Sequence, residues 1–127
     1  MKIVLDTNFI LTCLKKKIQI KEGLEETFQE KIEIVLLSSV LKEIKKLSCD
    51  KKRKLKERFY ANVFLRMVEE NKEDFFLVET KIENVDYSIE EFCKKNPEAI
   101  LATFDKNLRK KVNNKKMSIQ GKKFVLV

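Results

Sequence analysis

The chain has no histidine and no tryptophan, and only two glycines, one proline and three cysteines among 127 residues. Each shortage excludes something. Without histidine there is no Ser-His-Asp or Cys-His nucleophile and no imidazole for proton transfer. Cys13, Cys49 and Cys93 stand far apart, with no CxxC spacing. Neither a disulfide framework nor a structural zinc site is expected, and a reducing, cytoplasmic setting is. Scarce glycine and proline argue against long flexible linkers. No apolar run is long enough to cross a bilayer, so no membrane partner is expected. Ile3 to Leu14 is interrupted by Asp6 and Asn8, unlike a secretory leader.

What remains is aliphatic residue and charge. Hydrophobic residues make up 43% of the chain and charged residues 38%, enough apolar side chain to build a core. The length suits one domain over residues 1–127. A net charge of +8 favours a polyanionic partner, nucleic acid first. The same Lys- and Glu-rich composition also fits a thermophile's surface. An enzyme made from this chain must work with carboxylates, lysines or a metal.

Apolar periodicity divides the chain into alternating elements. Lys2–Leu5, Ile32–Leu37, Phe75–Glu79 and Ala99–Thr103 read as strands, and Met117–Gln120 with Phe124–Val127 as a terminal hairpin around Gly121. A helix follows Asp6-Thr7-Asn8. Gly23 is expected to break the chain before a short helix over Leu24–Lys31. Ser38 or Ser39 is placed to cap a helix whose apolar face is Val40, Leu41, Ile44 and Leu47. Asp50 is placed to cap a long helix from about Lys51 to Glu70, its core stripe expected along Leu55, Phe59, Val63 and Met67. Val85–Lys95 and the stretch from Asp105 to Val112 complete the helices. Strand–helix alternation implies an α/β fold, a mainly parallel sheet with helices on both faces.

Four acids occupy special places in this plan. Asp6 and Asp105 each follow a strand, Glu43 lies five residues after another, and Asp86 opens a helix. Capping explains each aspartate singly, and Glu43 alone reads as a solvated helix residue. Together they fall where open α/β sheets bind ligands, at the carboxyl ends of the strands. Several carboxylates brought close together call for a cation, and an all-oxygen donor set suits Mg²⁺ or Mn²⁺. Such a site on a basic protein reads as a metal-dependent nuclease.

The segments carrying these acids resemble, in order, the motifs of PIN-domain ribonucleases: Val4-Leu5-Asp6-Thr7-Asn8-Phe9-Ile10, Ser38-Ser39-Val40-Leu41-Lys42-Glu43-Ile44, Val85-Asp86-Tyr87-Ser88-Ile89 and Ala102-Thr103-Phe104-Asp105-Lys106-Asn107-Leu108-Arg109. The resemblance covers nearly the whole chain. It implies a three-layer α/β/α sandwich and Mg²⁺- or Mn²⁺-dependent endonucleolytic cleavage of RNA. Asp6, Glu43, Asp86 and Asp105 would be the catalytic metal ligands, supported by hydrogen bonds from Asn8 and Thr103. Phe104 stands where many relatives carry Asn, and Asn107 where some carry another acid, which implies a weaker fourth ligand. Within the family the chain resembles archaeal proteins related to ribosomal-RNA-processing endonucleases, and also VapC-type toxins of toxin–antitoxin pairs. The implied partners are rRNA or tRNA, an antitoxin protein in the toxin branch, and a second copy in a homodimer.

Basic residues cluster at Lys51-Lys52-Arg53-Lys54 and at Arg109-Lys110, both candidate RNA contacts. Solvated surface explains each block as well. Tyr60 and Tyr87 could stack on bases, though Tyr60, between Phe59 and Phe64, reads better as core. Two other readings compete. A noncatalytic RNA-binding scaffold would share charge and fold. A phosphoacceptor receiver domain would need paired acids at the first strand, where Ile3-Val4-Leu5 precedes Asp6 instead.

Overall fold

The structure, a computed structural model, describes all residues from Met1 to Val127. Its strands are β1 (Lys2–Leu5), β2 (Glu33–Leu37), β3 (Phe75–Val78), β4 (Ile100–Ala102), β5 (Lys116–Gln120) and β6 (Lys123–Leu126). Its helices are α1 (Thr7–Lys15), α2 (Ile20–Phe28), α3 (Ser38–Cys49), α4 (Leu55–Glu70), α5 (Val85–Lys95) and α6 (Lys106–Lys111). The strands form one sheet in the order β3-β2-β1-β4-β5-β6, parallel throughout except for β6. Ile3, Val4 and Leu5, and Ile34 to Leu37, are buried without alternation, as strands covered on both faces must be. Right-handed crossovers carry α1 to α4 over one face and α5 and α6 over the other, making the three-layer α/β/α sandwich. No helix is long and apolar enough to cross a membrane.

From β1 the chain winds outward through β2 to β3, then jumps back to β4 on the other side of β1. That reversal opens a crevice between the carboxyl ends of β1 and β4, the usual ligand position in such sheets. Asp6 stands there, its backbone N–H donating to the Ala102 carbonyl at 3.0 Å.

Several elements differ from the sequence-based expectation. Gly23 does not break the chain but lies inside α2. A Cβ at this position would stand 2.8 Å from the Phe124 ring, so glycine is there to let the β6 aromatic approach the helix. Phe124 stacks on Phe9, and Phe9 on Phe104, at centroid distances of 5.9 and 5.2 Å. The residue that replaces the family's Asn is thus part of an aromatic stack. Helix α4 begins at Leu55, four residues later than expected. Asp50 accepts from the Lys52 N–H in the preceding turn and caps nothing. The core face of α4 is Ala61, Phe64 and Val68, while Leu55 and Phe59 are 74% and 61% exposed. Ser38 and Ser39 do not cap α3, whose N-cap is Leu37, and Asn84 rather than Asp86 caps α5. Gly121, at φ 63°, turns the β5–β6 hairpin in the left-handed region where a side chain would be strained.

Candidate active site

Asp6 is the most buried of the four acids, 6% exposed. Its Oδ1 accepts from the Thr7 N–H at 2.8 Å and so caps α1; its Oδ2 accepts from the Thr103 hydroxyl at 2.7 Å. Burial pushes the carboxyl above its ordinary value. The Thr103 and Thr7 hydrogen bonds pull the other way, and the charges of Asp86 and Glu43 add to the upward push. Asp6 is therefore close enough to both acids to feel them. None of Asp6, Glu43, Asp86 and Asp105 has a Lys or Arg partner within salt-bridge distance.

Asp105 joins this group through Thr103. The Thr103 hydroxyl that donates to Asp6 also accepts from the Asp105 N–H at 3.0 Å. Asp105 Oδ1 caps α6 by accepting from the N–H groups of Asn107 and Leu108, which leaves Oδ2 without a protein donor. Arg109 donates through Nε and Nη2 to the Thr103 carbonyl, at 3.1 and 2.7 Å. Its guanidinium is spent inward on this turn. Lys110 is exposed one residue further on.

Glu43 and Asp86 ride on α3 and α5, whose starts are stapled together. The Ser39 hydroxyl bonds the Ser88 hydroxyl in a buried contact. Because Ser88 itself donates to the Val85 carbonyl, Ser39 is the donor. Ser38 accepts from the Thr80 N–H at 2.8 Å, fixing the loop ahead of α5. The serines read from sequence as caps instead set the spacing of two acids.

The structure brings Asp6, Glu43 and Asp86 within mutual electrostatic reach and links Asp105 through one hydroxyl. No three of these side chains stand close enough to enclose one ion in this arrangement. The chemistry of the donor set nonetheless fits a hard divalent cation: every group offers oxygen, no protein cation neutralises them, and one of them is buried. The neighbouring Thr7 hydroxyl is also buried and has no hydrogen-bond partner.

Glu43 and the exposed Asn8 also line a cleft of about 1080 Å³ between α1, α3 and the start of α4. Asn8 makes no side-chain hydrogen bond to Asp6, so it faces this cleft rather than supporting the acid. Lys15, Lys46, Arg53, Lys54 and Lys56 surround the rest of it, and Tyr60 lies on its wall rather than in the core. Lys51 and Lys52 sit on the exposed turn outside. Lys15, Lys46 and Lys56 escaped sequence reasoning. A signal existed: Lys15 is seven residues from Asn8 and Lys46 three from Glu43, on the same helical faces.

Comparison with known proteins agrees with this geometry. Residues 3–121 match the family model described as PIN like domain. The chain is 33% identical over 126 residues to Ribonuclease VapC4 of Methanocaldococcus jannaschii, covering 97% of this chain and 93% of that protein. The fold is similar to that of the PIN domain endonuclease Utp24, with a TM-score of 0.81 at 24% identity over 98% of this chain and 90% of the other.

Proposed function

The chain belongs to the PIN-like domain family, and on that footing we propose that it is an endoribonuclease that hydrolyses RNA phosphodiester bonds with Mg²⁺ or Mn²⁺. The observation that carries this reading is Asp6: a buried carboxylate that no protein cation neutralises, flanked by Asp86 and Glu43 at the switch point of the sheet. Asp6, Glu43 and Asp86 would hold the cation, with the free Oδ2 of Asp105 completing its surroundings. A divalent cation bound there lowers the pKa of a water nucleophile and offsets charge developing on the phosphate.

The chain's own residues set up the rest. Thr103 fixes the rotation of the Asp6 carboxylate and, through its carbonyl, is itself held by Arg109. The Ser39–Ser88 bond holds Glu43 and Asp86 in register. The lysines of the cleft supply the positive field that draws in a phosphate backbone.

The substrates proposed are rRNA and tRNA, with ribosomal-RNA processing as the role. A second reading, the toxin of a toxin–antitoxin pair with an antitoxin protein as partner, is favoured by the relative that bears a VapC name. One experiment tests the shared core. Purified protein is incubated with rRNA and tRNA in Mn²⁺, Mg²⁺ or chelator, and the new ends are mapped. Discrete internal cuts are expected only with metal, and Asp6→Asn should slow them by roughly 100- to 1000-fold while retaining its circular dichroism. Cleavage that survives in chelator or in the variant overturns the reading. Growth arrest relieved by a co-expressed small neighbouring protein would assign the toxin branch.

A further inference from the structure

The cleft beside the acids has two properties that a general basic surface lacks. Its cations are largely unspent. Arg53 lies within 3.9 Å of Asp50 and 3.8 Å of Glu57, but Lys15, Lys46, Lys54 and Lys56 have no acidic partner. Four ammonium groups therefore face one concavity with their charge available. The cleft also has an aromatic wall. Tyr60 stands on α4 one residue ahead of the buried Ala61, turned off the core face, with Phe59 packed edge-on against it at 5.6 Å. That edge-on neighbour holds the ring in place. The other exposed tyrosine, Tyr87, already carries the Lys111 ammonium 5.9 Å from its ring centroid.

From this we infer that the cleft is a binding site for an unpaired RNA strand, with Tyr60 as the stacking platform for one base and the four lysines holding the flanking phosphates. The inference rests on the ribonuclease reading for its choice of RNA and deepens it. A base offers its face to a protein ring only when it is not already stacked within a helix, so a double helix cannot use Tyr60. Glu43 lies in the same cleft, so a strand bound there passes the acids directly. Tyr60 acts on substrate choice, and the acids act on the bond.

Binding can be read apart from cleavage by placing every variant in the Asp6→Asn background. The probes are a short labelled oligoadenylate and its duplex with oligouridylate, followed by fluorescence anisotropy. The single strand is expected to bind much more tightly than the duplex. Tyr60→Ala should weaken single-strand binding by about 5-fold or more, and Tyr60→Phe should restore it. Lys46→Ala should lower the slope of log K against log salt by roughly 0.7. Thermal melts of each variant separate lost contact from lost fold, and the Tyr60→Phe rescue excludes a purely structural role. Duplex binding equal to the single strand, Tyr60→Ala binding as tightly as its parent, or no binding of either probe would each overturn the inference. Cleavage by the unmutated protein is scored separately. If cleavage is absent but the binding pattern holds, the nuclease reading fails and the platform stands; if cleavage occurs but Tyr60→Ala changes nothing, the reverse is true.

Discussion

Asp6 carries opposite demands. The fold needs it as the α1 cap, a task a neutral acceptor performs equally well. Burial and two nearby acids make its charge unwelcome, and its carboxyl is held above the ordinary 3.8. Below that value folded and unfolded chains are both protonated, and no penalty exists. As pH rises through the raised folded value, the folded state must ionise a buried carboxylate and loses stability. Metal-free Asp6→Asn should therefore melt at a higher temperature than the parent at neutral pH, the gap closing as pH falls toward 3.8. Added Mg²⁺ should raise the melting temperature of the parent and leave the variant unmoved. Differential scanning calorimetry across pH, with and without Mg²⁺, reads both effects. The sequence offered Asp6 as a cap and as a ligand; the structure shows that the cap is made and that the second oxygen is aimed by Thr103.

Among the elements, α2 and α4 show where local pattern misleads. Glycine inside a helix costs about 1 kcal/mol relative to alanine, so Gly23 reads as a break. Phe124, from a strand about a hundred residues away, reverses the sign. Its ring is wedged between Gly23 and Phe9 and is 4% exposed, so it cannot swing away from a new methyl group. Gly23→Ala is expected to destabilise the protein by roughly 1–2 kcal/mol despite the better helix propensity, as read by urea unfolding. Helix α4 carries apolar residues on more than one face, and four-residue spacing alone could not tell which is covered. The neighbours α1 and α3 take the Ala61–Phe64–Val68 side. Leu55 and Phe59 are left in solvent, and Tyr60 faces the cleft.

At the scale of the molecule, the surplus of positive charge is not spread evenly. Unpaired lysines line one cleft that opens onto a group of unpaired carboxylates. The two polarities sit side by side as a nuclease requires: one to draw in a polyanion, the other to gather a cation. The same partition governs the thiols. Cys13 and Cys93 are buried, and desolvation pushes them up to about 12 and about 11, while Cys49 is exposed. Raised values mean less thiolate at any given pH, and burial denies access. The native protein should titrate one thiol per chain with a chromogenic disulfide reagent, and three in denaturant. Rapid reaction of all three in the native state would show that the core opens.

The sequence by itself determined the order of strands and helices, the parallel sheet and the acids that belong to its carboxyl edge. These follow from near-neighbour rules: unbroken aliphatic runs need cover on both faces, and a residue just past a strand stands at its end. Only the tertiary structure decided that Gly23 stays helical, which face of α4 is buried, that Ser39 and Ser88 join α3 to α5, and that Tyr60 shares a cleft with Glu43. Each of those depends on contacts between residues far apart in the chain, and local periodicity carries no record of what a side chain will meet across the sheet.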